Sequence, residues 1–272
     1  MDKKNIIITG GTDGIGLNLV KKLLVSGHFV FMVGKNASKG NNILNELKEP
    51  KLEFFLCDLS EKDKINKLLI NLNKLPSIDI LINNAGAIFD KRTVNSNGIE
   101  KTFALNHLSY LQLSLGLLEK LEKSTDPRII NVSSNAHKRY EIDLNDLENK
   151  NNYNGWKAYC KSKLLNIFMT YSFKKELNTK VNSNCLHPGF VNSNFGNNNK
   201  NFYRFLVNIL KNLLAISSDE AAMSPYHLAL SDNLKGVDGK YFFKLKEKKS
   251  SKESYDSSLA KQIWSRSIEY LK

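Results

Sequence analysis

Cysteine is scarce in this 272-residue chain: Cys57, Cys160 and Cys185 are scattered, odd in number and in no CxxC pair. That excludes a disulfide framework and a thiolate zinc site, and fits reduced residues in a cytosolic compartment. The five histidines, His28, His107, His137, His187 and His227, form no HExxH motif and no i,i+4 pair, so no metal site is expected. No apolar run approaches the ~20 residues that cross a bilayer. Met1 to Asn5 leads into Ile6-Ile7-Ile8 without a charged-then-apolar leader, so the expectation is a cytoplasmic protein with no N-terminal anchor. Arginine-rich runs and aromatic-interleaved basic patches are also missing. The formal charge of +13 therefore reads as a lysine- and asparagine-rich surface, not a nucleic-acid interface. Such a surface can still steer anionic cofactors or meet a membrane. The remaining 41% hydrophobic and 25% charged residues suffice for a core that needs no disulfide or metal.

Short apolar runs alternate with longer segments of helical period. Strand candidates are 5–8, 29–33, 53–56, 78–82, 128–132 and 181–186, with a seventh at 240–243. Helices are expected at 15–26, 38–49, 62–72, 98–121, 156–177 and 219–230. No repeat or linker interrupts them. The pattern predicts one α/β domain over 1–272, a doubly wound parallel sheet of about seven strands with helices on both faces.

The first strand runs into Thr9-Gly10-Gly11-Thr12-Asp13-Gly14-Ile15-Gly16 and then a helix. A glycine-rich strand-to-helix turn lets backbone approach a pyrophosphate, whose charge the helix N-terminus favours. Which dinucleotide binds depends on the end of the second strand, Val33-Gly34-Lys35-Asn36. An acidic residue there would bond the ribose hydroxyls of NAD(H) and repel a 2′-phosphate. None is present, and Lys35 supplies a positive charge instead, so NADP(H) is expected over NAD(H).

Tyr159 and Lys163 stand four apart in a predicted helix and share a face. A phenol titrates near ~10, and a neighbouring ammonium favours the phenolate, which suits proton transfer near neutrality. Such a pair is common by chance. Its weight comes from polar clusters that end strands: Asn83-Asn84-Ala85-Gly86, Asn131-Val132-Ser133-Ser134 and His187-Pro188-Gly189. In open α/β sheets ligands bind outside the carboxyl ends of the strands, where these clusters and the glycine turn would meet.

With these residues the chain resembles the short-chain dehydrogenase/reductase family over essentially its full length. The family's TGxxxGIG turn matches Thr9 to Gly16, its NNAG motif Asn83 to Gly86, its YxxxK pair Tyr159 and Lys163, and its PG motif Pro188-Gly189. The resemblance implies a single-domain Rossmann fold. It implies cofactor contacts at Gly10, Thr12, Asp13, Gly14, Ile15, Gly16, Lys35, Asn36, Asp58, Leu59, Asn84, Ala85, Gly86, Tyr159, Lys163, Pro188 and Gly189. It also implies a catalytic set of Asn106, Ser134, Tyr159 and Lys163. Tyr159 would exchange the proton with the substrate oxygen, Ser134 would hold that oxygen, and Lys163 would bind the nicotinamide ribose and lower the tyrosine pKa. Asn106 would position a water in the proton path. Between Ser133 and Ser134 the family pattern favours the second.

One departure stands out: Ser134 and Tyr159 are 25 residues apart, about twice the family's usual spacing. With Ala136-His137, Asp143-Leu144-Asn145-Asp146-Leu147, Gly239 to Phe243 and Trp264, the long spacing is similar to the retinol-dehydrogenase-like branch. That branch implies an apolar carbonyl or alcohol substrate of retinoid, steroid or lipid-aldehyde type. A catalytically idle NADP(H)-sensing protein on the same fold is the rival reading. Peripheral membrane contact and homo-oligomerisation stay open. Phe202 to Ile216 carries apolar residues at helical spacing, so 192–218 is expected to be a substrate lid, and the charged, serine-rich 245–258 a mobile segment.

Overall fold

A computed structural model of the chain describes residues 2–189 and 216–272. Most of the expected lid, 192–218, lies outside the described residues. Among the described residues no helix is long and apolar enough to cross a membrane.

Among the described residues the sheet has eight strands: β1 (Asn5–Thr9), β2 (Phe29–Gly34), β3 (Leu52–Leu56), β4 (Ile80–Asn83), β5 (Arg128–Val132), β6 (Asn182–His187), β7 (Tyr241–Phe243) and β8 (Lys246–Lys248). Their order is β3-β2-β1-β4-β5-β6-β7-β8, so the chain winds outward from β1 in one direction and then, from β4, in the other. All neighbours pair in parallel except β7 with β8.

Successive strand side chains point to opposite faces, and here both faces are covered, so the centre of β1, Ile6-Ile7-Ile8, must be apolar. Ile6 and Ile8 pack with Val30, Met32 and the buried faces of α1 (Gly14–Val25) and α2 (Ala37–Leu47). Ile7 faces the other way, with Phe31, Val33 and the buried face of α3 (Lys62–Leu72).

The expected single helix over 98–121 is broken. The Glu100 carboxylate caps the backbone amides of Thr102 and Phe103, so the helix opens only at α4 (Lys101–Phe103). It widens into a π-helical turn over Ala104–Leu108, resumes as α5 (Ser109–Gly116), and pauses at Leu117 before α6 (Leu118–Leu121). The long segment after Ser134 is irregular and ends at Asn154, whose side chain caps α7 (Gly155–Leu177). It is held down by Leu147 in an apolar cluster with Phe103, Leu164, Phe168 and Ile263.

After α8 (Ser218–Leu230), the segment 245–258, expected to be mobile, holds β8, a 3-10 turn at Lys252–Tyr255 and the start of α9 (Ser257–Glu269). Its charge fits an edge strand, β8, where exposed lysines suit the position. The serines are partly internal: the Ser254 hydroxyl bonds Ser250 and Ser251. Helix α9 escaped notice because its buried face is narrow, Ile263 and Ser267.

Candidate active site

The ends of β1 to β6 assemble one edge. The glycine turn after β1 is clamped to the end of β4. Thr9 Oγ1 accepts from the amides of Asn84 and Ala85 at 2.8 and 3.0 Å, and Asn84 Nδ2 donates to Thr9 O at 2.9 Å. Gly10 sits at φ +67°, and a Cβ there would lie 2.9 Å from Ala85 Cα. At Gly16 a Cβ would lie 2.1 Å from Gly10 O and 2.8 Å from Asn84 Nδ2. Backbone cannot step aside, so Gly16→Ala is expected to cost about 2 kcal/mol of stability and to weaken dinucleotide binding. A thermal melt and a cofactor titration check it; an unchanged melt with unchanged affinity would refute the clamp.

Asp13 caps α1 through the Gly14 amide and pairs with Lys39 Nζ. Lys39, absent from the sequence reading, thus joins Lys35 beside the turn; it stands at the start of α2, whose cap is the Asn36 side chain. Thr12 packs against Gly34, where a Cβ would lie 2.7 Å from Thr12 Cγ2. Burial raises the Asp58 carboxyl, but hydrogen bonds from Ser60 and the charges of Lys35 and Lys64 outweigh it and hold the pKa low. Ile15 and Leu59 turn their side chains toward the two core layers, so a cofactor contact by either is limited to what the core leaves exposed. Pro188 and Gly189, the latter at φ +105°, end the β6 side of the edge.

The four expected catalytic residues come together. Tyr159, on α7, is buried and its hydroxyl bonds the Ser134 side chain. Ser133 turns away, its hydroxyl donating to Lys163 O at 2.8 Å. Lys163 Nζ donates to Val132 O at 2.9 Å and stands 5.5 Å from the Tyr110 ring centre and 5.6 Å from that of Tyr159. Asn106, in the π-helical turn, grips the Ala87 backbone with Oδ1 at 2.9 Å and Nδ2 at 3.0 Å. Gly86 lies between: a Cβ there would be 3.3 Å from Asn106 Oδ1 and 3.4 Å from Lys163 Nζ.

The expected lowering of the Tyr159 pKa does not emerge from these residues. Burial pushes the phenol well above its usual value, and the Ser134 hydrogen bond pulls it only part of the way back. Burial likewise pushes the Lys163 ammonium down to about 7. The pair is poised as a protonated phenol beside a lysine near its midpoint.

Ser162 and Asn166, not expected from the sequence, lie on the inner face of α7. Asn106 Nδ2 donates to Ser162 Oγ at 3.0 Å, and Asn166 Nδ2 donates to Asn106 O at 2.8 Å. Residues 162, 166 and 170 repeat every four, the spacing of one helix face, and Thr170 takes a hydrogen bond from Asn131. That spacing was available in the sequence as a signal.

A sequence model described as short chain dehydrogenase matches residues 4–203. The chain belongs to the short-chain dehydrogenase family, oxidoreductases of alcohol and carbonyl groups that use a nicotinamide cofactor. Within it the chain falls in the retinol-dehydrogenase-like branch. It is 34% identical to the human (Homo sapiens) polyprenol dehydrogenase, covering 97% of this chain and 83% of that protein. It is 32% identical to retinol dehydrogenase 13 of Mus musculus, covering 97% and 82%. An uncharacterised protein from Mycobacterium paratuberculosis shares the fold at TM-score 0.80 and 23% identity, covering 98% of this chain and 93% of that one. The Pseudomonas aeruginosa RhlG/NADP active-site complex does so at TM-score 0.70 and 23% identity, covering 88% and 93%.

Proposed function

We propose that this protein is an NADP(H)-dependent oxidoreductase that interconverts a carbonyl and an alcohol on an apolar substrate of retinoid, steroid or lipid-aldehyde type. The observation that carries the reading is the Ser134–Tyr159 hydroxyl pair backed by Lys163 at the strand edge. The glycine turn and the start of α1 fit a pyrophosphate, and Lys35 and Lys39 fit a 2′-phosphate. When bound, the nicotinamide supplies or accepts the hydride at C4.

The chain's own residues do the rest. Ser134 holds the substrate oxygen, and Tyr159 gives it a proton as negative charge develops there. The phenolate left behind is stabilised by the Lys163 ammonium. Asn106, held on two sides by Ala87, fixes the backbone beside Gly86 where the reacting ring would lie. The high phenol pKa keeps Tyr159 protonated at neutral pH, the form that donates the proton in carbonyl reduction. The relatives named for polyprenol and retinol, alcohols with long hydrocarbon bodies, support the apolar class.

The test follows NADPH and NADH absorbance with retinoid, steroid and long-chain aldehydes. Turnover with NADPH is expected. Lys35→Asp should shift the NADPH/NADH ratio of kcat/KM by about tenfold or more toward NADH, since one unit-charge contact exceeds 1.4 kcal/mol when partly desolvated. Equal affinities unaffected by that substitution would defeat the nucleotide assignment.

A further inference from the structure

Two histidines of the described residues lie against the proposed site without entering it, and both are wired in the same way. His137 is fully buried; its Nδ1 lies 2.6 Å from Ser134 O, and its Nε2 accepts from the Ser251 amide at 3.0 Å. An Nε2 that accepts is bare, so the proton is on Nδ1 and points at the Ser134 carbonyl. The ring is held edge-on to Tyr241, centres 5.1 Å apart.

His107, next to Asn106 in the π-helical turn, is also buried. Its Nδ1 lies 3.3 Å from Asn166 Oδ1 and its Nε2 2.9 Å from Ser267 Oγ. Asn166 spends its amide hydrogens on Asn106 O, so its Oδ1 accepts. His107 therefore carries its proton on Nδ1 as well, and takes the Ser267 hydroxyl at Nε2.

Each ring donates toward a backbone carbonyl of the proposed site, directly or through Asn166, and accepts from a serine in the C-terminal stretch. A side chain whose two nitrogens are both engaged in a buried network fixes the groups at each end. We propose that His107 and His137 are positioning residues that make Ser251 and Ser267 part of the scaffold, holding Asn106 and Ser134 in register with Tyr159. The inference rests on the functional reading above. It adds that residues distant in sequence from the pocket set the turnover rate.

The cleanest test leaves both histidines in place. Ser251 already sits at φ −67°, an angle proline adopts, so Ser251→Pro deletes the amide donor without forcing φ. Ser267→Ala deletes the hydroxyl donor to His107. At a temperature where each variant is fully folded, kcat should fall about tenfold, short of the ~100-fold cost of a 1 Å misplacement, with the cofactor KM within about twofold.

His137→Ala should fall at least as far, and His137→Asn, whose amide can still donate to Ser134 O, should recover most of the rate. A purely structural role predicts lower melting points with wild-type kcat, and that result would overturn the proposal. Hydrogen exchange reads the same point without turnover: the Ala87 and Ala136 amides, bonded to Asn106 and Ser134, should exchange faster in the variants. Unchanged exchange would equally overturn it. Wild-type enzyme and Tyr159→Phe run alongside: a wild type with no turnover on the panel fails the functional reading, while exchange still decides the positioning role.

Discussion

Tyr159→Phe is expected to lower kcat by about three orders of magnitude, within the 10²–10⁴-fold range of a positioned proton donor. It should change the cofactor affinity only a few-fold. The substitution deletes one oxygen from a buried ring that stacks on Trp156 with centres 5.7 Å apart, and the phenyl ring keeps that contact. What disappears is the hydrogen bond with Ser134 and the phenolic proton that would go to a developing alkoxide. The stability change should therefore be about 1 kcal/mol, the usual worth of one hydrogen bond.

Single-turnover oxidation of NADPH alongside a thermal melt separates the two effects. A folded Phe variant retaining more than about a tenth of the rate would end the assignment, because no effect of that size is left for a proton donor. The pH profile adds a check. Lys163, pushed to about 7 by burial, loses its charge as pH rises through that value, and with it the stabilisation of the phenolate. Reduction should decline on the alkaline side with a midpoint near 7.

How much of this was legible in the sequence depends on the kind of residue. β1 was readable because a strand buried on both faces is apolar through its centre, as Ile6-Ile7-Ile8 shows. The glycine turn was readable because Gly10 and Gly16 have backbone within 3 Å of where a side chain would begin. Tyr159 and Lys163 share a helix face four residues apart, but joining them to Asn106 and Ser134 was possible only by resemblance, since those two sit on another helix and at a strand end. Lys39 was hidden among many lysines, and only the fold puts it on Asp13.

The π-helical turn escaped the reading because the apolar spacing of Ala104 and Leu108 also suits an ordinary helix. What opens the turn is tertiary: Asn166 captures the Asn106 carbonyl from another helix. In the C-terminal stretch the partners are tertiary as well. Composition reports solvent preference, whereas the Ser251 amide and the Ser267 hydroxyl are internal partners of buried rings.

Those rings carry the second large effect, a steep loss of stability in mild acid. Burial drives the pKa of His107, His137 and His187 down to about 4. Hydrogen bonds to the Asn166 side-chain oxygen and the Ser134 carbonyl work against burial at the first two without overcoming it. Unfolded histidine titrates at about 6.5, so between about 6.5 and 4 the unfolded chain binds protons that the native state refuses. Stability must then fall as pH drops below 6.5, by about 2 kcal/mol per histidine at pH 5. Three such groups approach the 5–15 kcal/mol that holds a typical domain together.

Other groups do not mask the effect. Lys163 has the same sign, but its window runs from about 10.5 down to 7 and is complete before the histidines begin. Asp58, Glu61 and Asp146 are held low, so their contribution is lost only below about pH 4. Asp238 and Glu253, raised by burial, oppose the histidines, two carboxyls against three rings. Urea melts from pH 8 to 5 should show a shallow decline between 8 and 7, from Lys163, and a steep one below 6.5, with about two to three protons taken up per unfolding event near pH 5. A midpoint at pH 5 equal to that at pH 7 would mean the rings are charged in the native state. The neutral Nδ1–H arrangement that ties Ser251 and Ser267 to the site could not then exist.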